Sequence, residues 1–380
     1  MTFLKPFNNM KKRSNKTNTP TENWETYRKQ EIARITPALK KIGVTLHEKQ
    51  VHAGGERYLM SGKKLVLDAT HQDTGRVIVK VSSSKKGKQE IQNDRACRQI
   101  LNSINFAYQD FFLPQEIFFG EQNGCLLSVT AYIEQDQHLI DRPLEEQFFI
   151  SLRALEAQES VHATTYSHTK AIYKTFGLKG AEDYLREFTE FETLAIAQDP
   201  NNERLRQAYA RTRTFLNEGK DTIARYAGFL THHDFVPHNI RIKERDIYLL
   251  DHTSIYFGNK YEGWARFVNF MVHHSPELEK ALCEYVRANR GEDEYLSLRL
   301  MRAYKLGLLI QYYTGTLSKT TGDMHTLMRL RLAFWIEVLE AVLDDRQMDL
   351  VRVTRFLDEE NALRSDEEKA RRKEIISLRK

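Results

Sequence analysis

Residues 231–254 read THHDFVPHNIRIKERDIYLLDHTS, and this stretch decides the fold. His232 and Asp234 come first, and Asn239 follows Asp234 by five residues. Two short apolar runs come next, Ile240–Ile242 and Ile247–Leu250, with the polar Lys243-Glu244-Arg245-Asp246 between them. Short β-prone runs separated by a polar turn read as a hairpin, and this hairpin returns Asp251 beside Asn239. A loop carboxylate, a loop amide and a returning carboxylate thus come from one short piece of chain.

That set of groups matches what phosphoryl transfer requires. A triphosphate carries concentrated negative charge, so a divalent metal must neutralise it, held by a hard carboxylate and an amide oxygen. Asn239 and Asp251 are the candidate metal ligands. An acceptor hydroxyl needs a carboxylate near enough to orient it and take its proton. Asp234 is the candidate base, and His232 the second candidate catalytic residue.

Outward from this segment the chain divides in two. With 380 residues it is long enough for two lobes. Between Val44 and Tyr132 the apolar residues come in short runs: Lys64–Thr70, Arg76–Ser82, Glu116–Phe119 and Cys125–Tyr132. Helical spacing over Glu90–Ile104 interrupts them, and Glu22–Lys41 precedes them as a helix that Pro37 is expected to bend or break. From Pro143 onward helical periodicity dominates, as at Leu144, Phe148, Leu152 and Leu155. The expectation is an α+β chain: a basic tail over 1–21, a small antiparallel-sheet lobe with one helix over 22–131, a large helical lobe over 132–364, and a charged end over 365–380.

Composition excludes several classes. The net charge of +5 resides in the tail, where Lys5, Lys11, Lys12, Arg13 and Lys16 stand without an acid. The rest of the chain is formally neutral, so no specific nucleic-acid binding is expected. Cys97, Cys125 and Cys283 are far apart, and neither a disulfide framework nor a zinc ribbon follows. No apolar run approaches the roughly 20 residues of a membrane span. The N-terminus lacks a secretory signal's apolar core, so a cytoplasmic protein is the default.

The 231–254 segment resembles the catalytic loop of aminoglycoside phosphotransferases, choline kinases and related small-molecule kinases. Their pattern runs His-Gly-Asp-x-x-x-x-Asn and then a strand ending in a metal-binding Asp; His232, Asp234, Asn239 and Asp251 fall on those positions. His233 stands in place of the Gly, and His252-Thr253 follows the metal Asp in place of an aromatic-Gly pair. The resemblance implies a protein-kinase-like bilobal fold, ATP and Mg2+ as cofactors, and a small-molecule hydroxyl acceptor. It also implies that Lys80, in the middle of an apolar strand, contacts the α- and β-phosphates and pairs with a helix carboxylate. Family register favours Asp94 for that partner, with Glu90 one turn earlier as the alternative. Gly54 and Gly55 would form the phosphate-covering turn, where no side chain keeps backbone amides from phosphates. Ala131, Tyr132 and Ile133 would offer backbone to the adenine edge, and His162 would be structural support.

Two other readings stand beside this one. A kinase-like chain could bind nucleotide without catalysis. A metal-dependent phosphohydrolase could use His233-Asp234, His238, Asp251 and His252, but such domains place adjacent His-Asp within a helix, and Pro237 and the β-like run after it oppose that. Protein-kinase activity lacks support, since no Ala-Pro-Glu-like anchor follows Asp251.

Overall fold

The computed structural model describes residues 20–50, 64–103, 111–161 and 174–364. The basic tail up to residue 19, the turn with Gly54 and Gly55, His162 and the charged C-terminal end lie outside the described residues, whereas Pro20 and Thr21, expected in the tail, begin a helix. The chain forms two compact units. The first takes the described residues up to Ser103 together with Leu113–Glu134 and Asp251–Thr253; the second takes the rest.

The first unit is built on an antiparallel sheet of β1 (Val44–Leu46), β2 (Leu65–His71), β3 (Gly75–Ser82), β5 (Glu116–Gln122) and β6 (Cys125–Ala131), ordered β1-β2-β3-β6-β5. Alternation sets its two faces. Val77, Val79 and Val81 are fully buried with Leu65, Leu67, Leu127 and Val129, while Ile78 and Lys80 point to the other face. Asn123 (φ 49°) and Gly124 (φ 75°) turn β5 into β6. Both lie in the left-handed region that a two-residue hairpin turn demands, which Asn and Gly tolerate best. Helix α2 (Lys85–Ser103) follows β3. A further helix joins this unit: α1 (Pro20–Lys41) seals the buried face of the sheet with Ile35 and Leu39.

Pro37 does not end α1, which continues to Lys41. Its missing N–H orphans only the Ala33 carbonyl, and both Ala33 and Pro37 are exposed, so water can satisfy it.

The second unit is mainly helical. Its helices are α3 (Leu144–Glu159), α4 (Ala181–Gln198), α5 (Glu203–Glu218), α6 (Lys220–Arg225), α7 (Tyr261–His274), α8 (Pro276–Arg290), α9 (Glu292–Leu317), α10 (Gly322–Leu343) and α11 (Leu350–Ala362). The long α9 is the axis: α4, α7, α8 and α10 all pack on it. Two small sheets carry the 231–254 segment. Strand β7 (Phe229–His232) pairs antiparallel with β10 (Ile255–Gly258). The hairpin of β8 (Ile240–Lys243) and β9 (Asp246–Leu249) is extended by β4 (Phe111–Phe112), parallel to β9. Among the described residues, no helix is long and apolar enough to cross a membrane.

Candidate active site

In the first unit Lys80 projects from the middle of β3 with its side chain 20% exposed. Its amine donates to Asp94 Oδ2 at 3.0 Å. Asp94 is buried on α2, and its second oxygen accepts from His252 Nδ1 at 3.3 Å. Arg98, one turn along α2, approaches the same carboxylate at 3.7 Å and also bonds Ser128, the residue of β6 directly opposite Lys80. Burial pushes the Asp94 carboxyl up, but the Lys80 charge and then His252 outweigh it, and the group is held well below the usual carboxylate range. Glu90 is not the partner of Lys80; its carboxylate lies 4.0 Å from Lys64 and Lys86 on the helix exterior.

His252, which sequence reading placed only beside the metal aspartate, is therefore a buried partner of Asp94. The preceding Asp251 has φ 54°, in the left-handed region, and its Oδ1 accepts from Thr253 Oγ1 at 2.9 Å. A non-glycine there costs about 1 kcal/mol, and such strain persists where surrounding structure enforces it. Cys97 shares the Asp94 face of α2. Burial, with the charges of Asp94 and Asp251, pushes its thiol up to about 12, which keeps it protonated and unreactive.

The sheet end at Ala131-Tyr132-Ile133 is more restricted than the sequence implies. The Ala131 amide donates to Gln115 and the Tyr132 amide to Arg76, so both are spent within the unit. Among the described residues, the Ile133 amide is the one of the three without a hydrogen-bond partner.

In the second unit the loop after β7 is tightly specified. The His232 amide donates to Gln158 Oε1 at 2.9 Å, and its ring Nε2 donates to the Leu250 carbonyl at 2.9 Å. His232 is buried and turned to backbone, which ties the loop to the residue before Asp251. His233 needs no glycine-like conformation, because its φ is not positive. Its ring packs against Tyr256, with centroids 5.5 Å apart. Phe235 and Val236 are buried anchors, and Pro237 opens a short 3-10 turn ending at Asn239.

Asp234 lies half-buried between these anchors. Asn239 Nδ2 donates to the Asp234 carbonyl at 2.8 Å, which leaves the amide oxygen as the group a metal would take. Leu250 N donates to the Asn239 carbonyl at 2.8 Å, and Asp251 is the next residue. The Asp234 carboxylate is engaged by a residue that no motif singles out: Arg266 of α7, whose Nε donates to Oδ1 at 2.8 Å. Burial pushes Asp234 up, but Arg266 and the lesser charges of His232 and Lys305 more than offset it, so its pKa is lowered and it stays ionised.

Behind the loop lies a buried ionic cluster, also invisible in the sequence. Glu262 of α7 receives Lys305 at 3.3 Å and the hydroxyls of Tyr184 (2.7 Å) and Tyr256. Burial raises the Glu262 carboxyl, yet Lys305 and its other partners bring it down to about 2. The cluster fixes α7 against β10, and Gly263 N, donating to Thr231 Oγ1 at 2.9 Å, fixes α7 against β7.

No protein-family model matches the sequence, and no curated protein matches it. Solved structures do match in fold. A thermostable variant of aminoglycoside phosphotransferase APH(4)-Ia in apo form gives a TM-score of 0.58 at 13% identity, over 81% of this chain and 97% of that one. Another variant, in ternary complex with ADP and hygromycin B, gives 0.53 at 12% identity, over 81% and 96%. Macrolide 2'-phosphotransferase type I gives 0.52 at 14% identity, over 79% and 96%. This chain therefore has the protein-kinase-like α+β fold of the aminoglycoside and macrolide phosphotransferases.

Proposed function

We propose that this chain is an ATP-dependent phosphotransferase acting on a hydroxyl of a small molecule. The observation that carries the reading is Lys80: a lysine in the centre of a sheet, oriented by a buried carboxylate while its amine stays partly exposed. A purely structural lysine has no need of that arrangement, whereas a phosphate ligand does. The similarly folded enzymes are phosphotransferases, and one of them is bound to ADP and hygromycin B.

Each residue then has a part. Lys80, steadied by Asp94, binds nucleotide phosphates, and the Ile133 amide is the donor for the adenine edge. Asn239 and Asp251 fit magnesium, since both offer hard oxygens and that ion takes one or two protein ligands with phosphates and water supplying the rest. Asn239 and Asp251 would hold that ion, whose charge would offset that of the phosphates. Asp234 receives the acceptor's hydroxyl proton as the oxygen bonds to the γ-phosphorus and the bond to the β-phosphate oxygen breaks, leaving ADP. His232 positions the loop.

The test measures magnesium-dependent ATP binding and ATP consumption separately, over a panel of hydroxylated metabolites. Asp234→Asn is expected to keep nucleotide affinity and to lose at least about 100-fold in turnover. Turnover near the parent rate would remove Asp234 from the chemistry. Nucleotide binding without consumption by the parent protein would assign a binding role instead. Asp251→Ala is expected to weaken magnesium-nucleotide affinity, read by calorimetry.

A further inference from the structure

Arg266 is half-buried, 25% exposed, and holds Asp234 through Nε alone. Among the described residues its two terminal nitrogens have no hydrogen-bond partner. A guanidinium offers five N–H donors in a rigid fork suited to carboxylate and phosphate oxygens. Here one donor is spent, and the fork's open edge stands beside the proposed base. Farther along the same helix face, Phe270 lies 6.0 Å from the guanidinium carbon, and His274 stacks on Phe270 with ring centroids 4.2 Å apart. His238, from the loop, meets the Phe270 ring edge at 5.2 Å. The charged side chain in contact with Asp234 is the partly exposed cation Arg266, whereas a polycationic acceptor needs carboxylates around the reacting hydroxyl.

We infer that Arg266 is an anion clamp for the acceptor, and that the acceptor is a hydroxylated acid with a carboxylate or phosphate group. The acid group takes the open edge of the Arg266 fork while its hydroxyl is held by Asp234. This inference names the acceptor class and rests on the phosphotransferase reading.

A matched set of three-carbon diols tests it: glycerol, glycerate, glycerol 3-phosphate and 3-amino-1,2-propanediol. Each is titrated into the full chain with AMP-PNP and magnesium, and ATP consumption is followed in parallel. Expected is an affinity for one or both anionic members at least about 10-fold above glycerol, with the ammonium member weakest. Which anion binds better distinguishes carboxylate from phosphate. In Arg266→Gln the ratio of anion to glycerol affinity is expected to fall to about one, whatever change in Asp234 is shared by all four ligands. Equal affinities, preference for the ammonium member, no saturable binding of either anion, or an equal loss for all four in the variant would overturn the clamp. Anion discrimination without ATP consumption would leave the clamp standing and sink the phosphotransferase reading, so the two failures differ.

Discussion

At the residue scale, charges in this protein are placed by their partners rather than by exposure. Asp94 is buried against Lys80, His252 and Arg98; Arg98 also pairs with Glu116 at 3.2 Å, whereas the carboxylate paired with Lys80 is Asp94. Breaking a buried pair from one side is costly because the remaining charge has no water to return to. Asp94→Ala is expected to destabilise the protein by about 3 kcal/mol, and Lys80→Met by clearly less, since the lysine side chain is the one in contact with solvent. Urea denaturation of the two variants checks the order, and the reverse order would mean that Lys80 carries the buried cost. Arg266 acts on Asp234 in a measurable way. It lowers the carboxyl's pKa, so in the proposed reaction Asp234 is ionised at lower pH than an isolated carboxylate. In Arg266→Gln the acidic limb of kcat/KM against pH is expected to move upward; an unmoved limb would show that another group controls it.

At the element scale, helix packing sets limits that propensity does not. Gly307 lies mid-helix in α9, where glycine is normally a cost of about 1 kcal/mol relative to alanine. A β-carbon there would run into the buried Phe188 ring of α4. Gly307→Ala is therefore expected to lower stability by about 1–3 kcal/mol through overpacking; a rise in the thermal midpoint would show that Phe188 can move aside. The same scale explains what sequence reading saw and missed. In β2 and β3 every second residue is a buried apolar one (Leu65, Leu67 and Ala69; Val77, Val79 and Val81), so their pattern is local and was readable. Strand β7 is four residues, FLTH, and β4 is two, FF. Neither is long enough to show a period, and each exists because a partner strand from a distant part of the chain offers it hydrogen bonds.

At the scale of the whole molecule, acid stability reports on the buried groups. Burial and the nearby Lys305 charge push His233 down to about 4 from an ordinary 6.5, so the folded protein holds it neutral. As pH falls below 6.5 the unfolded chain binds that proton first, and stability is lost progressively down to about 4. Glu262, held at about 2 against an ordinary 4.5, contributes stability above 4.5 that fades as pH falls toward 2. Urea midpoints followed from neutral pH downward are expected to fall in these two windows, and His233→Phe to flatten the first. A first window unchanged in that variant would assign it to another histidine.

Local pattern along the chain was enough to read a sheet-rich and a helical part, and the HxDxxxxN loop with its following hairpin. Those features are written in local periodicity and in spacing along a few consecutive residues. The sequence also pointed to Lys80, through the resemblance and the lysine's place one strand before a helix and well ahead of the Asp234 loop. Only the tertiary structure decided that Asp94 rather than Glu90 meets that lysine, that His252 completes the group, and that Arg266 holds Asp234. The physical reason is range. A turn or a strand pattern is fixed by neighbours in sequence, whereas an ion pair between residues 14, 158 or 32 positions apart is fixed by where packing brings their backbones.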